Sequence, residues 1–527
     1  MKSILTFIFL LLAANTNVLG NPVKEKLLLI PLDDRPPCLQ FPIKLGEIVN
    51  MEIITPPKEI LGNLHDAGNT DALASWIKRQ PIEDVSGVIL VADMLAYGGL
   101  VASRKYAINS ESALARLKLI KFIKEKNPLI PIFVQSVIMR LAPTADGTNE
   151  EHRVKLAKWA ATVDPAKKTA LERGLPKAVT ADYLAARNRN HQVNRQMIEW
   201  TSDGLIDYLV LSQDDAKPAG LHVTEKEHLA QQVKSYKLSD KVAIQAGTDE
   251  VAMLLLGRFV NRQKHLSPTV KVHYSSEAMR NEVMPFEDEI LGETVNKMVK
   301  CAGGDLVDQG SSPDLHWYVY TSRYNEEETK SFITTIIQAI KKGQKLIVSD
   351  IDPIGNVQGG AKVFSEALIE KGTLSKLYGY ASWNTAGNTL GTALPQGFLF
   401  HARQTAAAHD KMTSSNSSAH YWFTIHRMVN DYVYNNEVRA ALKQAFGPKH
   451  TNATILSADK LEMADNIALD IIEPCLERII RYNFTDQFQA HHLKFELPWK
   501  RAFEALIDFD LTKSSGKEMD HQEFLIP

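Results

Sequence analysis

From Lys26 to Ala381, short runs rich in leucine and β-branched residues alternate with longer stretches whose apolar positions recur at helical spacing. Runs such as "LLLIPL" and "GVILVA" are apolar at successive positions, which buries both strand faces, as in the centre of a parallel sheet. The alternation is the βαβ rhythm of parallel strands covered by helices. It predicts strands over Lys26–Leu32, Met51–Ile54, Gly87–Ala92, Ile130–Gln135, Ile206–Ser212, Val242–Gln245, Val270–Tyr274, Leu315–Thr321, Lys345–Ser349 and Leu377–Ala381. Helices are predicted between them, among them Ser110–Lys126 and Thr180–Thr201.

Between Val283 and Ser312 the turn-rich "CAGGDLVDQGSSP" interrupts this rhythm and reads as a lobe boundary. A helix-rich tail follows from Ser417 to about Arg481, and "LKFELPWKRAFEALIDFDL" reads as a terminal hairpin. The predicted fold is α/β: parallel sheets flanked by helices in two α/β lobes, then a helical C-terminal region. A distorted β/α barrel is the alternative, because both arrangements write nearly the same pattern. The expected division is a signal peptide over 1–20, an N-terminal α/β domain over 21–300, a second α/β lobe over 315–410 and a mostly helical region over 411–527.

The first twenty residues set the expected location. One lysine precedes an apolar stretch from Ile4 to Ala14, and Val18 and Gly20 sit at the small-residue positions before a cut. That is the pattern of a secretory signal peptide, so a secreted or periplasmic protein is expected. No later run reaches the length of a membrane span, and no membrane association is expected after cleavage. The chain has 527 residues, 44% hydrophobic and 23% charged, with a formal net charge of −2. Such a balance offers no basic field for nucleic acid, which points to a small polar molecule or a glycan as partner and leaves the oligomeric state open. Cys38, Cys301 and Cys475 are far apart without CxxC spacing, which speaks against a zinc cluster and for single buried thiols. Sequons occur at Asn416, Asn452 and Asn483.

The candidate chemistry collects where predicted strands end. In open parallel sheets and in barrels, ligands bind beyond the carboxyl ends of the strands. Here "IPLDDRPP" supplies Asp33, Asp34 and Arg35; "VADMLAYGGLVASR" supplies Asp93 and Arg104; "QSVIMR" supplies Arg140. "VLSQDDAKPAG" brings Asp214 and Asp215, "QAGTDE" Asp249 and Glu250, "SDIDPIGN" Asp350, Asp352 and Asn356, and "ASWNTAGN" Trp383 and Asn384. Any one such aspartate is an ordinary helix cap or turn residue. Acidic pairs at four strand ends repel unless an arginine, a metal, a shared proton or a hydroxyl-rich ligand compensates them. Arg35, Arg104, Arg140 and Arg187 are the expected compensation, with Asn190 beside Arg187 in "RNRN". That "RNRN" run reads by default as a solvated helix face, and Gly98-Gly99 and Gly359-Gly360 as points of close backbone approach to a ligand or a helix start.

With these residues in hand, "PLDDRP", "ADMLAYGGLVASR", "YLAARNRN", "DYLVLSQDDAKPAG" and "DIDPIGNVQGGA" resemble the bacterial family catalogued as domain of unknown function 4127, over nearly the whole chain. Two local likenesses add a direction. "IQAGTDEVA" is similar to the strand-end Asp-Glu of family 20 hexosaminidases, and "YLVLSQDDA" to the Asp-Asp of family 84 hexosaminidases. They imply a glycoside hydrolase, with N-acetylhexosaminidase type among the expected activities, Asp214, Asp215, Asp249 and Glu250 as its catalytic carboxyls and no cofactor. "LIVSDIDPIGN" instead resembles the nucleophile loop of haloacid-dehalogenase-type phosphatases, which implies a divalent metal on Asp350 and Asp352. A two-lobed solute-binding protein without turnover would use the same residues and is the third expectation.

Overall fold

The structure, a computed structural model, describes residues 24–145, 150–308, 310–355, 359–409, 415–484 and 488–513. The expected signal peptide and Asn356 lie outside the described residues. All ten predicted strands form, with boundaries shifted by a few residues at most. β1 (Glu25–Ile30), β2 (Met51–Ile54), β3 (Gly87–Val91), β4 (Ile132–Ile138), β5 (Tyr208–Gln213) and β6 (Val242–Ala246) make a parallel sheet in the order 2-1-3-4-5-6. β7 (Thr269–Tyr274), β8 (Asp305–Leu306), β9 (Leu315–Tyr320), β10 (Leu346–Asp350) and β11 (Leu377–Ala381) make a second one, in the order 8-7-9-10-11. The sheets are open, so the barrel alternative is set aside. The turn-rich stretch expected to divide the lobes falls inside the second sheet, because β7 pairs with β9 across it. Its composition hid the helix Leu291–Cys301, whose buried Val295, Met298 and Val299 pack into the core.

Both strand orders reverse direction once, between β1 and β3 and between β7 and β9. At such a reversal the loops leaving adjacent strands diverge and open a crevice. The helices that cover the sheets start where side chains take up free backbone amides: Asn69, Asn109 and Asn325 each accept from the amide three residues on. Between the sheets, Leu254, Leu255 and Phe259 of helix Val251–Gln263 share one apolar core with Leu390, Leu394 and Phe398 of helix Ala386–His409. Each buried side chain of this size contributes about 1.5–3 kcal/mol relative to exposure. This shared core, with the ion pairs of Lys226 to Asp288 and Glu289, holds the two sheets together.

The C-terminal region is helical as expected and closes with the antiparallel hairpin β12 (Phe488–Glu496) and β13 (Leu506–Lys513). The turn of this hairpin, residues 497–505, reaches back to the first sheet: Trp499 donates to Asp34 at 2.6 Å and Glu504 accepts from Arg35. All three cysteines are free thiols, two of them buried. Asn483 is buried and uses both amide atoms, accepting from the Leu374 amide and donating to the carbonyls of Ile369 and Ile479. The Asn483 side chain thus serves packing. Among the described residues no helix is long and apolar enough to cross a membrane.

Candidate functional site

The carboxyl ends of both sheets face one cleft of about 260 Å³. The first sheet supplies Arg35 after β1, Arg104 after β3, Arg140 after β4, Asp214 and Asp215 after β5, and Asp249 after β6. The second supplies Phe286 and Glu287 after β7 and Asn384, Thr385 and Asn388 after β11. Trp499, Arg501 and Phe503 of the C-terminal hairpin turn close the remaining side.

The first-sheet wall is a set of compensated charges. Arg35 donates to both oxygens of Asp249, at 2.7 and 2.9 Å, and to Asp33 at 2.7 Å. Burial opposes its charge, but Asp249 and Asp33 hold it firmly protonated. Its guanidinium and that of Arg501 each stand 4.8 Å from the ring centre of Trp499. Arg104 donates twice to Asp214 and once to Thr144. Arg140 holds Asp215, whose side chain keeps 39% of its surface exposed, the most open acid of the set. In the first sheet Arg35, Arg104 and Arg140 thus compensate acids at three strand ends.

The other wall holds a different kind of acid. Glu287 is 3% exposed, accepts one bond from the Gly387 amide at 2.9 Å, and keeps its second oxygen without a hydrogen-bond partner. Burial, against the single amide bond and reinforced by Asp288 and Asp215, pushes its pKa up to about 8. The Ala216 amide donates to the Phe286 carbonyl at 2.8 Å, so Asp215 and Glu287 sit on two loops joined by one backbone bond. Glu287, whose unpartnered oxygen is itself buried, is thus a carboxyl held protonated near neutrality at the cleft wall, and Asp215, across that bond, is an arginine-paired carboxylate.

Glu250 does not line the cleft. It is fully buried behind the backbone of Gly247, where a Cβ would fall 1.6 Å from its Oε1, and it accepts from Asn388 at 2.6 Å. Gly247 adopts φ 93°, and only glycine fits both that dihedral and that contact. Burial raises the Glu250 carboxyl to about 8 as well. Asp249 and Glu250, adjacent in sequence, thus part company: the first is locked by Arg35, the second braces the start of helix Ala386–His409.

Several other expected residues support the site without lining it. Asp33 and Asp34 stand behind Arg35 and Trp499. Asp93 is buried and accepts from the Val137 amide at 2.9 Å; burial lifts its pKa to about 7. Arg187 is only 2% exposed, which corrects the solvated-face reading of "RNRN": it pairs with Glu225 and ties down the carbonyls of Met139 and Arg140. Asn190 donates to the Ser103 carbonyl, beside Arg104. Trp383 donates to Thr392 and meets Phe41 edge-on at 6.0 Å, lining only a small adjoining void. Asp350 and Asp352 lie at the carboxyl end of β10 but outside the cleft lining, facing Arg323, which sequence reasoning had not paired with them. A cation on these two aspartates would meet that guanidinium. Among the described residues no three His, Cys, Asp or Glu side chains gather as ligands for a metal ion. The glycine pairs approach neighbouring loops: the Gly98 carbonyl accepts from Gly68, and the Gly360 amide donates to Asp431.

Glu287 was hidden in the sequence because "MPFEDEI" follows no long apolar run and reads as a charged turn. The signal available was its distance past β7, the same strand-end logic applied elsewhere. Trp499 and Arg501 were seen only as parts of a hairpin.

The family described as "Protein of unknown function (DUF4127)" matches residues 27–508. The chain belongs to the DUF4127 family. No curated protein matches it. Among solved structures, a multifunctional pyruvate carboxylase from Rhizobium etli aligns over 92% of this chain and 49% of its own, at 9% identity and a TM-score of 0.17. A likeness of that size carries no argument about fold or activity.

Proposed function

We propose that this DUF4127 protein is an exported carbohydrate-directed hydrolase, a glycoside hydrolase in which Glu287 donates the proton and Asp215 is the facing carboxylate. The observation that carries the reading is Glu287 itself: a cleft-lining carboxyl, protonated near neutral pH, one oxygen unpartnered, one backbone bond away from Asp215. Glycoside cleavage needs a protonated carboxyl for the leaving oxygen and a carboxylate to steady the oxocarbenium-like state or attack it. Arg35, Arg104 and Arg140 pair with Asp249, Asp214 and Asp215, so these three acids enter the cleft already compensated. Asn384, Thr385 and Asn388 offer uncharged partners for its hydroxyls. This assigns the acid role to Glu287 rather than to Glu250, which the Gly247 backbone screens from the cleft. Export rests on the signal-like residues 1–20, and no cofactor enters the reaction.

The test is a panel of aryl glycosides, N-acetylhexosaminides included, assayed with and without a chelator. Release of aglycone from one sugar class, unaffected by chelation, supports the proposal. Tight binding of a saccharide without release moves the protein to the solute-binding class, and activity lost with the chelator moves attention to Asp350 and Asp352.

A further inference from the structure

Phe286 stands between the cleft and an exposed apolar surface on the second lobe. It lines the cleft beside Glu287, is 50% exposed, and adopts φ 68°. For a bulky residue that left-handed conformation is a true outlier, and it persists only where the surroundings impose it. They do so here: the Ala216 amide bonds the Phe286 carbonyl, and the Glu287 amide bonds the Met284 carbonyl at 3.1 Å. Strain of this kind on a large, half-exposed side chain is a pointer to function.

The surface continues away from the cleft. A Cβ on Gly355 would lie 3.8 Å from Phe286 Cε2 and 2.9 Å from Pro285, so the β10 loop abuts the aromatic ring. Ile354 beside it is 56% exposed, and so is Tyr324. Both are fixed by one carboxylate: Asp352 Oδ1 accepts from the Ile354 amide at 3.0 Å and from the Tyr324 hydroxyl at 3.1 Å. Asp352, facing Arg323, thus orders a ledge that runs Phe286, Ile354, Tyr324 from the cleft mouth outward. This gives the "SDIDPIGN" stretch a role: its second aspartate shapes the ledge.

We propose that this ledge is an extended binding subsite for the further sugar units of a glycan chain, with the ring of Phe286 taking the apolar face of the unit next to the reacting one. The proposal rests on the glycoside hydrolase reading and specifies its substrate class: an oligosaccharide rather than a single capped sugar. Continuity with the cleft and the amphipathic character of the ledge select this occupant, since an aromatic face with a polar rim suits a ring that is apolar on its faces and hydroxylated at its edges.

The experiment uses the full mature chain and a series of aryl glycosides of one to four units of whichever sugar the panel shows to be released. For the wild type, kcat/KM should rise at least tenfold from one unit to four, mainly through KM. In Phe286→Ala the ratio of the four-unit to the one-unit kcat/KM should fall to near one, in Tyr324→Ala it should fall partway, and Phe286→Trp should restore it. Thermal melting of each variant confirms a folded protein. A flat length profile in the wild type, or an unchanged ratio in folded Phe286→Ala, overturns the ledge while leaving the hydrolase reading intact. Absence of turnover on every glycoside overturns the reading beneath it, and with it the ledge.

Discussion

Replacing Glu250 with glutamine should make the protein more stable above neutral pH. The side chain has no exposed surface, one hydrogen bond from Asn388 at 2.6 Å, and a second oxygen with no partner. Burial moves its carboxyl from the ordinary 4.5 to about 8. In the unfolded chain the group releases its proton near 4.5; in the folded protein it holds the proton until about 8. Between those values the folded state binds more protons than the unfolded one, so stability is fully present below the lower value and falls as pH rises through the window. At 1.36 kcal/mol per pH unit the loss attached to this one group is on the order of 5 kcal/mol. Glu287 adds a loss of the same sign. A glutamine keeps the acceptor for Asn388 and removes the ionisation. Urea unfolding followed by tryptophan fluorescence at about pH 5, 6.5 and 8 would read the effect. The variant should lie within about 1 kcal/mol of the wild type at the lowest pH and gain on it by about 3–5 kcal/mol at the highest. Parallel stability curves for the two proteins would refute the reasoning, since they would place the ionisation of Glu250 outside the folding linkage.

The other buried charges allow further predictions. Arg35→Met removes the cation shared by Asp33, Asp249 and Glu504 and should cost about 3–5 kcal/mol in denaturant unfolding at neutral pH. Asn483→Ala strands the Leu374 amide and should cost about 1–3 kcal/mol, and expression in a glycosylating host should leave the Asn483 sequon unmodified, as mass spectrometry of the corresponding peptide would show. Asp215→Asn, which keeps the shape beside Arg140 while removing the charge, should lower glycoside turnover by at least about 100-fold with little change in melting temperature.

The sequence disclosed the strands because parallel strands buried on both faces leave apolar runs such as "GVILVA" that loops do not imitate. It also disclosed one side of the cleft, since each run ends in charged residues and the strands all point the same way. Two things were not legible. The first was which member of an adjacent acidic pair faces the ligand: Asp249 and Glu250 are neighbours in the chain, yet the turn at Gly247 sends one to Arg35 and folds the other behind the backbone. The second was any contribution from residues far along the chain. Trp499 and Glu504 meet Asp34 and Arg35 across more than four hundred residues, a pairing set by the tertiary fold and carried by no local pattern. Glu287 combines both difficulties, because a charged turn becomes an acid of raised pKa only once the tertiary fold buries it, against the Gly387 amide bond that lowers it.

The measurement that bears most directly on the proposed chemistry is the leaving-group dependence of Glu287→Gln. On a series of aryl glycosides of the released sugar, the variant should lose at least about 100-fold in kcat/KM where the leaving phenol is poor and needs a proton, and much less where it departs unaided. The alkaline limb of the wild-type pH profile, expected near 8 from the raised Glu287 carboxyl, should vanish in the variant. An equal loss across all leaving groups with the alkaline limb still in place would contradict the assignment of Glu287 as the proton donor.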